Sequence, residues 1–193
     1  LTLHLDGARL FNAAVALGCP ARELAASFDT VTICLSKGLG APVGSVLCGS
    51  SEVIREAHRA RKLLGGGMRQ AGVIAAGGLH ALDHHMARLE EDHRHAKRLA
   101  EGIAELPGLF CAQASPPANG AWTNLVYFTV DGRATGRPEL DASGLVDRLR
   151  SRGVLVHALG AHGERIRMVT HLGITAADID TTLKHLRSCL NGT

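Results

Sequence analysis

Short apolar runs rich in β-branched residues alternate along this chain with longer stretches in which apolar and polar positions mix. Residues 30–35 carry consecutive β-branched side chains, among them Val31, Thr32 and Ile33, which predicts a strand. Residues 10–17 are small and apolar, and Gly18 and Pro20 predict the end of a helix there. Strands alternating with helices are typical of α/β construction. Further strands are predicted at 2–5, 44–48, 124–130, 154–157 and 165–169. Further helices are predicted at 50–62, 68–106, 143–152 and 176–190, the last of them capped by Thr175. Residues 23–27 are predicted to be a connector.

Glycines interrupt the helical part of the pattern. The triplet Gly65-Gly66-Gly67 follows the predicted helix 50–62 and is expected to end it. Inside the long helical stretch 68–106, the pair Gly77-Gly78 is expected to produce a bend.

Prolines and glycines also mark a change of unit near the middle of the chain. Leu106-Pro107-Gly108 is followed by the run SPPANG at 115–120. We therefore expect two domains. Residues 1–106 would be the carboxy-terminal portion of a large domain with a long connecting helix, and residues 107–193 a small α/β domain.

Composition restricts the classes of function. The 193 residues are 46% hydrophobic and 20% charged, which is ordinary for a globular protein with a core. Aromatic residues make up only 3% and the net charge is +3, so we expect no nucleic-acid partner, and the apolar runs are too short for a membrane span. Five scattered cysteines without a CxxC pair indicate reduced core thiols in a reducing compartment. The cytosol is the expected location, and a mitochondrial location is the alternative, because a removed targeting peptide would lie upstream of Leu1.

A single lysine follows the predicted strand 30–35, in the sequence TVTICLSKGLGAPVG. We expect this strand to be buried on both faces. Lys37 then reaches solvent at the strand end, pairs with an acid, or does chemistry. The glycines after it allow a ligand to approach closely, and a partly desolvated amine favours imine formation. We therefore favour a chemical role.

A carboxylate stands at another strand end, in the sequence HLDGAR. Ligands of open α/β sheets bind beyond the carboxyl ends of the strands. A strand-end lysine one strand away from a strand-end carboxylate is the pair that pyridoxal phosphate needs, since the lysine forms the Schiff base and the carboxylate keeps the pyridine nitrogen protonated. The alternative for Asp6 is an N-cap of the next helix. Combined with Lys37, the cofactor interpretation leads.

Four blocks carry a resemblance to a known family. HLDGARLFNAA, SKGLGAPVGSVLCGS, RKLLGGGMRQAG and IRMVTHLGIT, in this order between residues 3 and 175, closely resemble the low-specificity L-threonine aldolases. These are pyridoxal-phosphate enzymes of the aspartate-aminotransferase-like fold, fold type I. The resemblance implies that this chain is the carboxy-terminal part of such a subunit: a partial large-domain sheet plus a small α/β domain. The family's amino-terminal phosphate loop and ring-stacking histidine have no counterpart here, so we expect a longer protein or a remnant.

The resemblance also implies roles for single residues. Lys37 resembles the Schiff-base lysine, and Asp6 resembles the partner of the pyridine nitrogen. Arg9 resembles the arginine directed at the cofactor and the substrate carboxylate. Arg167 resembles the arginine that grips the amino-acid carboxylate as a two-pronged fork.

Two further basic residues flank the glycine triplet. Lys62 and Arg69 resemble residues of a loop that lies, in the family, near a neighbouring subunit's cofactor phosphate. Family members are usually tetramers, so the resemblance implies a homo-oligomer.

The implied reaction is the cleavage of a small β-hydroxy-α-amino acid, L-threonine or L-allo-threonine, to glycine and acetaldehyde. Two alternatives stay open. One is another fold type I enzyme such as a β-eliminating lyase, and the other is a non-catalytic remnant that acts only through subunit association.

Histidines are abundant, with 11 in the chain. His80 and His84 are four residues apart, but no carboxylate or cysteine completes a metal site, so a solvated helix face is expected for them and for His93 and His95. His4 shares the strand face of Asp6 and is expected to be a packed strand residue. His171 either approaches the site or serves a turn.

Overall fold

Two separate sheets organise the chain in the computed structural model, which describes residues 1–115, 121–160 and 164–191. A three-stranded sheet belongs to the compact unit Leu1–Glu90, and a four-stranded sheet belongs to the unit Glu91–Thr193. Each unit has a hydrophobic core of its own. The expected α/β class is confirmed.

The first unit carries mixed strands and helices. It contains β1 (His4–Asp6), α1 (Leu10–Leu17), α2 (Ala21–Ala25), β2 (Thr30–Cys34), β3 (Ser45–Cys48), α3 (Ser51–Leu63) and α4 (Gly72–His84). Strand β1 runs parallel to β2, and β3 runs antiparallel to β2. Asp6 lies opposite Thr32, so β1 and β2 end towards the same edge of the sheet.

Local signals set several of these elements. Helix α1 has the predicted bounds, because Gly18 adopts the left-handed conformation with a φ of 65° and ends it. Helix α3 begins after Ser50, whose hydroxyl accepts a hydrogen bond from the Val53 amide at 3.3 Å. The connector predicted at 23–27 is wrong, since Pro20, with a φ of −61°, starts a short helix there.

Strand β2 is less covered than expected. We predicted burial on both faces, but only Val31 is fully buried, and β3 is exposed along its whole length. Full burial of a strand needs a layer on each face. The described elements of this unit supply less cover than that.

The long helix predicted at 68–106 is two helices, α4 and α5 (Leu89–Ala104), separated at His85. Gly77 and Gly78 both lie inside α4, and the bend expected there stays a prediction. A Cβ on Gly77 would lie 2.8 Å from Pro42, and one on Gly78 would lie 2.9 Å from Leu35. These glycines therefore serve close packing. The domain boundary expected after residue 106 stays a prediction about the complete subunit.

The second unit is built on an antiparallel sheet. It includes most of α5, which is followed by β4 (Leu109–Phe110), β5 (Leu125–Val130), α6 (Ala142–Arg150), β6 (His157–Leu159), β7 (Arg165–Val169) and α7 (Ala176–Asn191). A 3₁₀ turn lies at Ala112–Ala114. The strand order is β4-β5-β7-β6. Strand β7 has the predicted bounds, whereas β6 begins three residues later than predicted. The break predicted at SPPANG lies, from 116 to 120, outside the described residues.

Alternation along the strands builds the second core. Val126 and Phe128 of β5 are 1% exposed, and Ile166 of β7 is fully buried. They pack with the apolar faces of α5, α6 and α7. The predicted cap of α7 is confirmed, since the Thr175 hydroxyl accepts a hydrogen bond from the Asp178 amide at 3.3 Å. Hydrogen bonds from the Thr175 hydroxyl and amide lower the pKa of Asp178 below its ordinary value.

The five cysteines are free, as expected, but they are not all core residues. Cys111 and Cys189 are buried, and this burial raises the pKa of both thiols. Cys48 on β3 is exposed, against expectation, because β3 is uncovered. Among the described residues, no helix is long and apolar enough to cross a membrane.

Candidate active site

Asp6 and Lys37 follow the carboxyl ends of two neighbouring parallel strands. Asp6 is the last residue of β1, and Lys37 stands three residues beyond the end of β2. Because the strands are paired in parallel, both residues lie towards one sheet edge, where ligands of α/β sheets bind. Both side chains are exposed.

The Asp6 carboxylate serves the turn after β1. Its Oδ1 accepts a hydrogen bond from the Ala8 amide at 3.1 Å. The N-cap position of α1 is Arg9, which makes no side-chain capping bond. The alternative in which Asp6 caps the helix is therefore wrong.

Arg9 brings an unpaired donor to the same turn. Its backbone adopts a φ of −127° and a ψ of 35° at the start of α1. Its Nε is buried and has no hydrogen-bond partner among the described residues. A buried guanidinium nitrogen without a partner is a donor suited to an anion.

The turn that carries Lys37 is held at its base. The amide of Gly40 donates to the Lys37 carbonyl at 2.9 Å, and the amide of Ala41 donates to the Leu35 carbonyl at 3.0 Å. Gly40 has a φ of 70°, which a side chain rarely allows. This arrangement presents the Lys37 side chain outward while Gly38 and Leu39 are buried.

Two polar residues that the sequence did not single out contact this turn. Asn12 of α1 is 3% exposed, and a Cβ on Gly38 would lie 2.7 Å from its Oδ1. His85, after α4, has its Nδ1 2.6 Å from the Leu39 carbonyl oxygen. The one sequence signal was the presence of an asparagine inside the apolar stretch LFNAAVAL.

Neither Lys62 nor Arg69 stands at the end of a strand, since Lys62 belongs to α3 and Arg69 to the segment between α3 and α4. Lys62 is on α3, and a Cβ on Gly67 would lie 2.7 Å from its Nζ, so its side chain lies along the glycine triplet. Arg69 is exposed, next to Gln70 with a φ of 52°. Among the described residues, neither has a hydrogen bond or ion pair to the Lys37 turn.

Arg167 belongs to the second unit. It lies on β7 opposite Tyr127 of β5 and His157 of β6. Its neighbours Ile166 and Met168 enter the core, so its side chain stands on the other face of the sheet. It is half-buried, and its Nε is buried without a partner among the described residues.

The histidines divide between surface and core. His4 has its Nδ1 2.8 Å from the Thr30 hydroxyl but is exposed, so the packed strand position expected for it is wrong. His171 accepts a hydrogen bond from the Gly173 amide at 3.2 Å, which is a turn role. The solvated face expected for His93 and His95 is wrong, since both are on the buried face of α5, with 6% and 8% exposed.

His80 and His84 are exposed and stack with ring centroids 4.4 Å apart. In the described part of the chain, no group of three or more His, Cys, Asp or Glu side chains could hold a metal ion.

The family comparison covers the whole of the first unit and extends past it. The family model described as "Beta-eliminating lyase" matches residues 1–125. A low-specificity L-threonine aldolase of Arabidopsis thaliana is 43% identical over 181 residues, which is 94% of this chain and 48% of that protein. The chain thus spans about half the length of the curated relatives it matches.

Solved structures share the fold at low identity. A candidate L-allo-threonine aldolase from Listeria monocytogenes superposes with a TM-score of 0.73 at 19% identity, over 98% of this chain and 52% of that chain. A structure of SPT with a PLP internal aldimine gives a TM-score of 0.68 at 16% identity, over 98% of this chain and 46% of that one. The chain therefore belongs to the beta-eliminating lyase family and has the fold type I architecture that the sequence predicts.

Proposed function

We propose that the protein is a pyridoxal-phosphate-dependent carbon–carbon lyase that cleaves L-threonine or L-allo-threonine to glycine and acetaldehyde. The observation that carries the proposal is the placement of Asp6 and Lys37 after adjacent parallel strands at one sheet edge. Its second support is the 43% identity to a relative named as a low-specificity L-threonine aldolase.

The residues at this edge suit the cofactor. An exposed amine and an exposed carboxylate stand beside a turn in which the exposed Gly40 carries no side chain. The Nε of Arg9, which has no hydrogen-bond partner among the described residues, adds a donor for an anionic group. When bound, pyridoxal phosphate supplies an electron sink for the electron pair left on Cα when the Cα–Cβ bond breaks.

Each residue then has a distinct task. Lys37 would hold the cofactor covalently through Nζ, and Asp6 would accept a hydrogen bond from the protonated ring nitrogen and keep the proton there. Arg9 would bind a carboxylate, and so would Arg167, whose planar fork matches two carboxylate oxygens. Fixing the carboxylate orients the bond to be broken.

Lys62 and Arg69 are proposed to serve the cofactor phosphate of a neighbouring subunit in a homotetramer. Their position supports this, since both are exposed and flank the glycine triplet between α3 and α4. Exposed apolar residues lie between them in the sequence, among them Leu64 at 88% and Met68 at 65%. Such a patch is typical of a protein interface. We further propose a cytosolic location, in keeping with five free thiols.

The deciding experiment uses the protein expressed from its complete coding sequence, with pyridoxal phosphate and L-allo-threonine. Glycine and acetaldehyde in equal amounts are expected. A 2-oxo acid and ammonia from L-serine or L-cysteine, without glycine, would instead support β-elimination, which the family match favours as the second candidate. A protein with no cofactor absorbance would point to a role in subunit association alone.

A further inference from the structure

The backbone under Lys37 is tied to the rest of the first unit by buried contacts. Gly38 is buried, and Leu39 is 3% exposed, directly after the exposed Lys37. Leu39 and Ala41 form a small core with Ala81 of α4 and Leu89 of α5. The lysine therefore stands on a segment whose next residues are fixed in the protein interior.

One hydrogen bond reaches this segment from α4. His85 has its Nδ1 2.6 Å from the Leu39 carbonyl oxygen. A carbonyl oxygen only accepts, so Nδ1 carries the proton and donates. The His85 amide itself donates to the Ala81 carbonyl at 2.9 Å, which holds the residue at the end of α4. His85 thus links the end of a helix to the turn after β2.

A second contact to the turn comes from α1. A Cβ on Gly38 would lie 2.7 Å from Oδ1 and 3.2 Å from Nδ2 of Asn12. Asn12 is 3% exposed, so its amide group fills the space next to the turn. The turn is therefore contacted at Gly38 by an asparagine on one helix and at Leu39 by a histidine at the end of another.

We propose that His85 is a positioning residue that fixes Lys37 through the Nδ1–H···O=C bond to Leu39, with Asn12 as the support behind Gly38. This proposal rests on the proposed role of Lys37. Nζ ends a flexible side chain, so the fixed backbone sets the volume that the amine can reach. A small displacement of a reacting group lowers its rate strongly.

The test compares two substitutions at position 85 that both introduce a side-chain amide, asparagine and glutamine. In His85→Asn the side-chain amide nitrogen occupies the place of Nδ1, so the donor is kept, whereas in His85→Gln it is one bond too far. His85→Leu removes the donor altogether. His84→Leu is the matched control, because His84 is exposed and contacts His80 instead of the turn.

Two readouts are measured in the protein expressed from its complete coding sequence. The first is amide hydrogen exchange of residues 35–44 without cofactor. We expect it to be roughly tenfold faster in His85→Leu and His85→Gln, because a buried carbonyl loses its partner, and unchanged in His85→Asn and His84→Leu. The second is the rate at which pyridoxal phosphate forms a borohydride-trapped adduct on Lys37. It should fall by roughly tenfold in the same two variants.

The outcomes separate the two proposals. Wild-type exchange in both His85→Leu and His85→Gln, or faster exchange with an unchanged adduct rate, overturns the positioning role of His85. If His85→Leu does not fold, the contrast between His85→Asn and His85→Gln decides alone. If the wild-type protein forms no adduct on Lys37, the proposed function fails, and the positioning role fails with it. The exchange data then still report whether the bond holds the turn.

Discussion

Replacing Gly38 with alanine measures how tightly the turn after β2 packs. The added Cβ would lie 2.7 Å from Oδ1 of Asn12 and 3.0 Å from Cδ2 of Leu89. These neighbours are 3% and 0% exposed, so neither has room to swing into solvent. Gly38 is not among the glycines with positive φ, so the cost of the substitution is steric.

The expected magnitude follows from these contacts. Overpacking in a well-filled interior costs about 1–3 kcal/mol. The lower entropy of the unfolded chain with alanine offsets about 0.4–1 kcal/mol of that. Gly72→Ala is the matched control, since nothing lies within 4 Å of its added Cβ and it begins α4. That variant should be as stable as the wild type or slightly more stable.

The assay is urea unfolding, with hydrogen exchange of peptides from the first unit to assign the change to that unit. Asn12→Ala in the Gly38→Ala background removes the amide that the new methyl group meets. The double variant should therefore be less destabilised than the sum of the single variants, by about 0.5–2 kcal/mol. Strict additivity, or a Gly38→Ala protein as stable as Gly72→Ala, would refute the packing argument.

Three further predictions concern the proposed site and the end of the chain. Lys37→Ala should abolish the borohydride-trapped cofactor adduct. The control Lys97→Ala, on the exposed face of α5, should still form it. An adduct that persists in Lys37→Ala would show that Lys37 is not the residue that binds the cofactor. Arg167→Ala should raise the KM for the amino acid by at least tenfold, because the substrate carboxylate loses a charged partner that binds both of its oxygens. The bound-cofactor spectrum should stay intact, and loss of the spectrum would mean that Arg167 is structural. Because the pKa of Asp178 is lower in the folded protein than its ordinary value of 3.8, the ionised carboxylate stabilises the fold. This stabilisation is fully present above pH 3.8 and is lost as the pH falls through the lower folded-state pKa. The melting-temperature gap between wild type and Asp178→Asn should therefore close on acidification, and a constant gap would contradict a role for the bonds from Thr175.

The sequence by itself determined the local elements, because their causes are local. A run of β-branched residues predicted β2, and Gly18 predicted the end of α1 through its left-handed conformation. The Thr175 cap was likewise visible, since its partner Asp178 lies three residues away. The four motifs taken together also sufficed to indicate the family, whereas the roles of single residues stay predictions.

Only the tertiary structure decided which distant residues meet. Asn12 and Gly38 are 26 residues apart, and His85 and Leu39 are 46 apart, so no local pattern reports either contact. The close packing at Gly77 and Gly78 was not visible in the sequence for the same reason, since their close neighbours Pro42 and Leu35 come from a different part of the chain. A glycine that bends a helix and one that allows close packing look alike in sequence. Packing against partners chosen by the fold distinguishes them.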